Sequence, residues 1–294
     1  MKPGAARLAI VGAGRAGGAL GVLLSRAGWK IVAVASRETR EARRLARLTG
    51  ARIATSNPAR AAAQANAVLI AVPDREILSV ASALAAVAGT GARRVALHVS
   101  GAVGAEVLEP LRRNGWATGS MHPLIAFPPR PLPPPDPAGA TFAIDGDPRA
   151  RTLARRLASS LGGRTLELRP VQRATYHLAA CFASNYVVTL ASESVSLLAR
   201  AGMSRRAALD AVLPLMRATL VNLETAGLPD ALTGPVARGD AVTVARHVAI
   251  LRSAPAGLIA LHRELVRRTA GIAHAAGWLD KRAVRRIGRA LVDR

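Results

Sequence analysis

The feature that most constrains this 294-residue chain is a series of short, unbroken apolar runs set between helix-like stretches. Residues 8–12 read Leu-Ala-Ile-Val-Gly, 30–35 Lys-Ile-Val-Ala-Val-Ala, 67–72 Ala-Val-Leu-Ile-Ala-Val and 94–99 Arg-Val-Ala-Leu-His-Val. A strand with one wet face alternates apolar and polar residues. Runs that are apolar throughout are buried on both faces, as in a parallel sheet covered by helices on either side. Helical patterns at 15–27, 40–48 and about 75–88 supply that cover.

A short strand at 116–120 is followed by a stiff segment, Pro128–Pro137, with seven prolines in ten residues. Such a segment is extended and poor in amide donors. Strands at 141–144 and 165–168 flanking a helix at 148–161 continue the sheet beyond it. From Pro170 the pattern becomes helical, at about 171–201, 204–225, 240–253, 255–276 and 280–292, with Gly202, Gly227 and Gly277 as punctuation. No internal repeat is evident. The predicted fold class is α/β plus all-α: a doubly wound, mostly parallel sheet over 1–169, then an all-helical domain over 170–294.

Composition narrows the functional classes. Half the residues are hydrophobic and 20% charged, enough for a sizeable core and too apolar for a disordered chain. A lone cysteine, Cys181, excludes an internal disulfide framework and argues against a cysteine-based zinc site. This fits a reducing, hence cytoplasmic, setting, and no metal is expected. The net charge of +23 is spread along the chain: 24 basic against 10 acidic residues precede residue 170, and 17 against 8 follow it. With only 3% aromatic residues, this resembles a preference for anionic ligands more than a nucleic-acid surface. Arg15 interrupts the apolar run near the N-terminus, against a secretory signal. No stretch of about 18 apolar residues is present to span a membrane.

Gly12-Ala13-Gly14-Arg15-Ala16-Gly17 follows a buried strand and opens a helix, the context in which Gly-x-Gly-x-x-Gly has force. Gly12 permits the tight turn, Gly14 lets a diphosphate approach the backbone, and Gly17 lets helix and strand pack closely. The amides at the helix start face the anion. The second strand ends in Ser36-Arg37, with Arg40 beyond, where an NAD site usually carries an acidic residue. A hydroxyl and a guanidinium suit a 2′-phosphate, so NADP(H) is the predicted cofactor. Val72-Pro73 ends the next strand and would line the nicotinamide side.

Reactive residues are sought beyond the strand ends. Ser100-Gly101 follows the 94–99 strand; it is either a cleft-lining pair or an ordinary turn. His122, held extended by Pro123, is a candidate proton donor. His177, Cys181, Ser184 and Asn185 are spaced along one stripe of a predicted helix, small and polar on an otherwise apolar element. The stripe lines a ligand cleft or eases a helix–helix contact. His122, His177, Asn185 and Ser100 are the catalytic candidates; Gly101, Cys181, Ser184 and Arg238 are the substrate-binding ones. In Leu232-Thr233-Gly234-Pro235-Val236-Ala237-Arg238-Gly239-Asp240, Asp240 reads as a helix cap and Arg238 as an anion clamp. The three lysines, Lys2, Lys30 and Lys281, are not placed to donate a proton in a cleft.

The Gly12–Gly17 turn, His122-Pro123-Leu124, Tyr176-His177 with Ser184-Asn185-Tyr186, and Leu232–Pro235 with Arg238-Gly239-Asp240 together resemble Rossmann-like NADP oxidoreductases with a helical C-terminal domain of unknown function. The resemblance covers nearly the whole chain. The architecture is also similar to that of 6-phosphogluconate and β-hydroxyacid dehydrogenases, pyrroline-5-carboxylate reductase and prephenate dehydrogenase. In the β-hydroxyacid enzymes a lysine stands four positions before the helix asparagine. Here Cys181 stands there before Asn185, a departure from their mechanism. His122-Pro123 is similar to the His-Pro of prephenate dehydrogenases. The resemblance implies a homodimer paired through the helical domain and a small-molecule substrate. The resulting expectation is hydride transfer to or from a small, carboxylate-bearing C=O or C=N compound. The competing reading is a non-catalytic NADP(H)-binding sensor or scaffold.

Overall fold

The computed structural model describes residues 6–87, 94–129 and 133–292, so part of the proline segment lies outside the described residues. The chain divides into two compact units, Met1–Asn185 and Tyr186–Arg294.

The first unit is built on one sheet. Its strands are β1 (Arg7–Val11), β2 (Lys30–Ala35), β3 (Ile53–Thr55), β4 (Ala67–Ile70), β5 (Val95–His98), β6 (Ala117–Pro123), β7 (Thr141–Gly146) and β8 (Arg164–Glu167). Their order is β3-β2-β1-β4-β5-β6-β7-β8. All neighbours are parallel except β6 and β7. Helices α1 (Arg15–Arg26), α2 (Thr39–Thr49), α3 (Pro58–Ala62), α4 (Asp74–Val87), α5 (Glu109–Arg113) and α6 (Pro148–Ser160) cover it.

Two apolar clusters follow from this layering. Leu8, Ile10, Leu20, Leu69, Leu97 and Phe142 fill one face, and Val11, Val68, Ile70, Ile77, Leu84 and Leu108 the other. Alternate residues of the same strand serve opposite clusters, which is why central strands such as β4 are apolar at every position. β1 lies between β2 and β4, so the chain reverses direction across the sheet there. The crevice at the carboxyl ends of these strands is where such folds bind ligands.

The short elements β3, α3 and α5 were not anticipated. Ile53–Thr55 is too brief to show a period. The start of α3 does carry a local signal. Asn57 accepts from the amides of Ala59 and Arg60, and Pro58 occupies the first turn.

The predicted continuous helix over 171–201 is corrected. It is two helices, α7 (Arg173–Ala183) and α8 (Asn185–Arg200), with Ser184 between them at φ −129°, ψ −72°. His177, Cys181, Ser184 and Asn185 therefore do not share one uninterrupted helical stripe. Ser and Asn side chains compete for backbone hydrogen bonds, and a Ser-Asn pair is a reasonable place for a helix to break.

Helix α7 belongs to the first unit because its first residue is pinned there. Arg173 is buried, and its Nε donates to Asp145 Oδ2 at 2.8 Å. Its Nη1 donates to the Ser100 carbonyl at 3.2 Å, and Nη2 donates to Ser120 Oγ. One guanidinium thus joins α7 to β6, β7 and the segment after β5.

The second unit contains α8, α9 (Arg205–Ala226), α10 (Ala241–Leu251), α11 (Ala256–Ala275) and α12 (Lys281–Ala290). Val244, Val248, Val266, Ala273 and Ile287 form its core. Asp240 caps α10 by accepting from Thr243 N at 3.0 Å and Thr243 Oγ1 at 2.6 Å, as its sequence position suggests. Among the described residues, no helix is long and apolar enough to cross a membrane.

Removing one member of a buried ion pair leaves the other charged and desolvated. Arg173→Met should therefore lower unfolding free energy by about 3–5 kcal/mol. Adding Asp145→Leu should restore a large part of that loss. Chemical denaturation of the single and double variants checks both outcomes.

Candidate functional site

The glycine turn is set by contacts that a side chain would destroy. Gly12 has φ +100°, and its amide donates to the Ala35 carbonyl at 2.8 Å. A Cβ on Gly12 would run into the Ala71 carbonyl, and one on Gly17 would run into the Gly12 carbonyl. These two glycines let β1, α1 and the end of β4 meet. Gly14 differs: a Cβ there would find no atom within 4 Å. It opens α1 without a side chain to cap the helix. Open space at an uncapped helix start suits a phosphate group.

A cleft of about 300 Å³ continues from this turn. Gly12, Ala13, Gly14, Ser36, Arg37, Val72 and Pro73 line it. Arg15 instead borders a separate hollow with Val22, Leu45 and Pro128. Ala16 and Arg40 line neither. The sequence reading missed three acidic residues in the cleft wall: Glu38, Glu41 and Glu76. Glu76 accepts from Arg37 Nη1 at 2.9 Å.

Further along the same sheet edge lies a cluster of rings. His122 Nδ1 and Tyr176 Oη are 2.9 Å apart, and the His122 and His177 ring centroids are 6.3 Å apart. Gly101 is wedged between the imidazoles. A Cβ on it would stand 2.8 Å from His122 Nε2 and 2.8 Å from His177 Cδ2. Two periodicities produce the arrangement. Ser120 and His122 are two apart on β6 and face the same side. Arg173, Tyr176 and His177 are three and four apart on α7 and share a face. Ser120 receives Arg173, and the next step along each element brings His122 to Tyr176.

His122 and Tyr176 are both neutral at neutral pH. Burial holds His122 down at about 4, with His177 and Arg173 nearby adding to the effect. Burial pushes Tyr176 up to about 12. His98, fully buried on β5, is also pushed down to about 4, mainly by burial. Its Nδ1 accepts from Ser100 N at 3.2 Å, which leaves Nε2–H to donate to the Gly104 carbonyl at 3.0 Å. His98 is thus a pin for the turn after β5. Arg173 is the cation beside the rings, and it donates to three protein acceptors.

The remaining sequence candidates are dispersed. Ser100 is 7% exposed, and its Oγ accepts from the amides of Ala102 and Val103 at 3.2 and 3.1 Å. Cys181 is a half-buried free thiol on α7. Ser184 occupies the helix break, and Asn185 opens α8. Arg238 is exposed in the second unit. Sequence reasoning missed Arg173 and Asp145 and gave Tyr176 no role. The available signal was an arginine three and four residues before a Tyr-His pair. Among the described residues, no group of three or more His, Cys, Asp or Glu side chains is placed to hold a metal.

Comparison with known proteins bears on the domains and the fold. Residues 1–123 match the family described as a Rossmann-like domain, and residues 140–269 match the domain of unknown function DUF2520. The chain is a Rossmann-like domain followed by a DUF2520 domain. No curated protein matches it in sequence. Among solved structures, a Bacteroides fragilis protein provisionally named an NADP oxidoreductase superposes with a TM-score of 0.74 at 24% identity, covering 90% of this chain and 98% of its own. A Thermotoga maritima protein gives a TM-score of 0.69 at 27% identity over 92% and 99% of the two chains. A pyrroline carboxylate reductase from Plasmodium falciparum, solved with NADP bound, gives 0.56 at 12% identity over 99% and 100%. The first and third of these are likenesses of fold.

The depressed histidines set the acid behaviour of this DUF2520-containing chain. Between about pH 4 and 6.5 the unfolded state binds protons that His98 and His122 refuse when folded. Stability should therefore fall as pH falls through that window. Imidazole NMR should show both rings neutral down to about pH 4. The unfolding midpoint should drop less steeply with acid in His122→Gln than in the parent.

Proposed function

We propose that the protein is an NADP(H)-dependent oxidoreductase acting on a small, carboxylate-bearing C=O or C=N compound. The observation that carries this reading is that the glycine cleft and the imidazole–phenol cluster lie along the same carboxyl edge of one sheet. The cleft is built on β1, β2 and β4, and the cluster on β5 and β6 together with α7.

In this reading Gly12, Ala13, Gly14, Arg15, Ala16 and Gly17 form the diphosphate turn. Ser36 and Arg37 face the adenosine 2′ position, with Arg40 assigned beyond them on α2, and Val72 and Pro73 lie towards the nicotinamide. The residues present fit such a group: the turn is built from glycines, and space is left at Gly14. The nicotinamide supplies or accepts the hydride. The protein's task is to orient the substrate and meet the charge that develops on its oxygen or nitrogen.

His122 is suited to that task as a neutral imidazole. A ring this hard to protonate does not carry a full positive charge at neutral pH, but it can present an N–H to a developing anion. Tyr176 fixes its orientation through Nδ1, and His177 stands beside it. Gly101 leaves the space that both rings need. Ser100 contributes through the turn it caps; Cys181, Ser184 and Asn185 are assigned to the substrate side. Arg173 gives three of its donors to protein acceptors, and for a substrate carboxylate the assigned cation is Arg238, as the sequence reading has it. The helical region is assigned to pairing of two copies. In α8 and α9 only Val195, Ala208 and Val212 are buried, while Val188, Leu215, Leu220 and Val221 are more than half exposed. An apolar helix face of this kind calls for a partner.

Calorimetric titration should show NADPH binding. His122→Ala and Gly101→Ala should each lower turnover on a carbonyl and imine panel by about 10²-fold or more while leaving NADPH affinity within a few-fold. Binding without turnover on any such compound would favour the sensor reading. Binding of neither NADPH nor NADH would remove the proposal. Light scattering should give twice the chain mass, and charged substitutions at Leu215 and Leu220 should halve it.

A further inference from the structure

Arg37 is the residue that a 2′-phosphate would recruit, yet it already has a partner. Its Nη1 lies 2.9 Å from Glu76 Oε1. The two side chains differ in freedom: Arg37 is 77% exposed and Glu76 only 22%. Glu76 sits in the first turn of α4, where the helix dipole favours a carboxylate. The carboxylate is therefore the fixed member of the pair, and the guanidinium the movable one. Both line the same cleft as Gly12 and Gly14.

We propose that Glu76 determines cofactor preference by competing with the 2′-phosphate for Arg37. The inference rests on the nucleotide site proposed above. A 2′-phosphate dianion must draw Arg37 away from Glu76 and tolerate the carboxylate that remains. A ribose 2′-hydroxyl has no such conflict and can donate a hydrogen bond to a carboxylate. The pair thus weakens the preference for NADP(H) that Arg37 alone would create. Glu38 and Glu41, on the same wall, add negative potential, while Glu76 is the carboxylate 2.9 Å from Arg37. They should affect the balance less.

Exposed ion pairs are weak, so the effect is one of tuning. In Glu76→Gln, the dissociation constant for NADPH should fall by about three- to tenfold, while that for NADH stays level or rises. In an Arg37→Gln background, adding Glu76→Gln should bring a markedly smaller gain for NADPH, because the competitor has nothing left to release. Nucleotide fluorescence titration of the wild type, both single variants and the double variant reads this directly. A thermal melt of each confirms that it is folded. An unchanged NADH-to-NADPH ratio in Glu76→Gln, or an undiminished gain without Arg37, overturns the inference and leaves the nucleotide site standing. If the wild type binds neither nucleotide, both fall together.

Discussion

The cluster in the first unit depends on one buried guanidinium. Arg173 meets Asp145 on β7, Ser120 on β6 and the Ser100 carbonyl beyond β5. Burying a charge in an apolar sheet is unfavourable unless it is paired and hydrogen-bonded, and the antiparallel pairing of β6 with β7 supplies two of the acceptors. That pairing sets Ser120 directly across from Asp145. Helix α7 is thereby fixed at its first residue, and one turn later Tyr176 and His177 arrive where His122 and Gly101 wait. The exactness of the ring cluster comes from a charge that never touches a reacting group.

This arrangement separates roles that sequence alone would merge. Two histidines stand near consecutive strand ends, His98 on β5 and His122 on β6, and both are kept neutral by burial. His98 spends both ring nitrogens on backbone partners and holds a turn. His122 spends one on Tyr176 and keeps the other towards Gly101 and His177. Burial alone does not mark a functional imidazole; an uncommitted nitrogen beside a polar cluster is the better sign.

Much of the fold was legible because its determinants are local. Strands such as Ala67–Ile70 are apolar at every position, and turn glycines such as Gly12 meet backbone that admits no side chain. Elements shorter than one period, such as Ile53–Thr55, leave no pattern to read. The helix break at Ser184 was hidden for a related reason: apolar residues on both sides keep helical spacing through it. The glycine turn could be found from sequence, as could His122 and His177. Arg173 carried only its spacing from Tyr176 and His177 as a signal among so many arginines, because its role depends on Asp145 and Ser120, distant in sequence and brought together by strand pairing. Glu76 was hidden likewise, since it reaches the cleft from a different helix than the strand end that carries Arg37.

The interruption at Ser184 also has an architectural meaning. Had the helix run on unbroken, Tyr176 and His177 would have been carried on the same rod as the residues of the second unit. Instead the phenol, both imidazoles and their guanidinium anchor all precede residue 186, within a single self-contained block. The break thus leaves the ring cluster wholly on its N-terminal side, at a point that the chain's hydropathy conceals and that the DUF2520 match runs across.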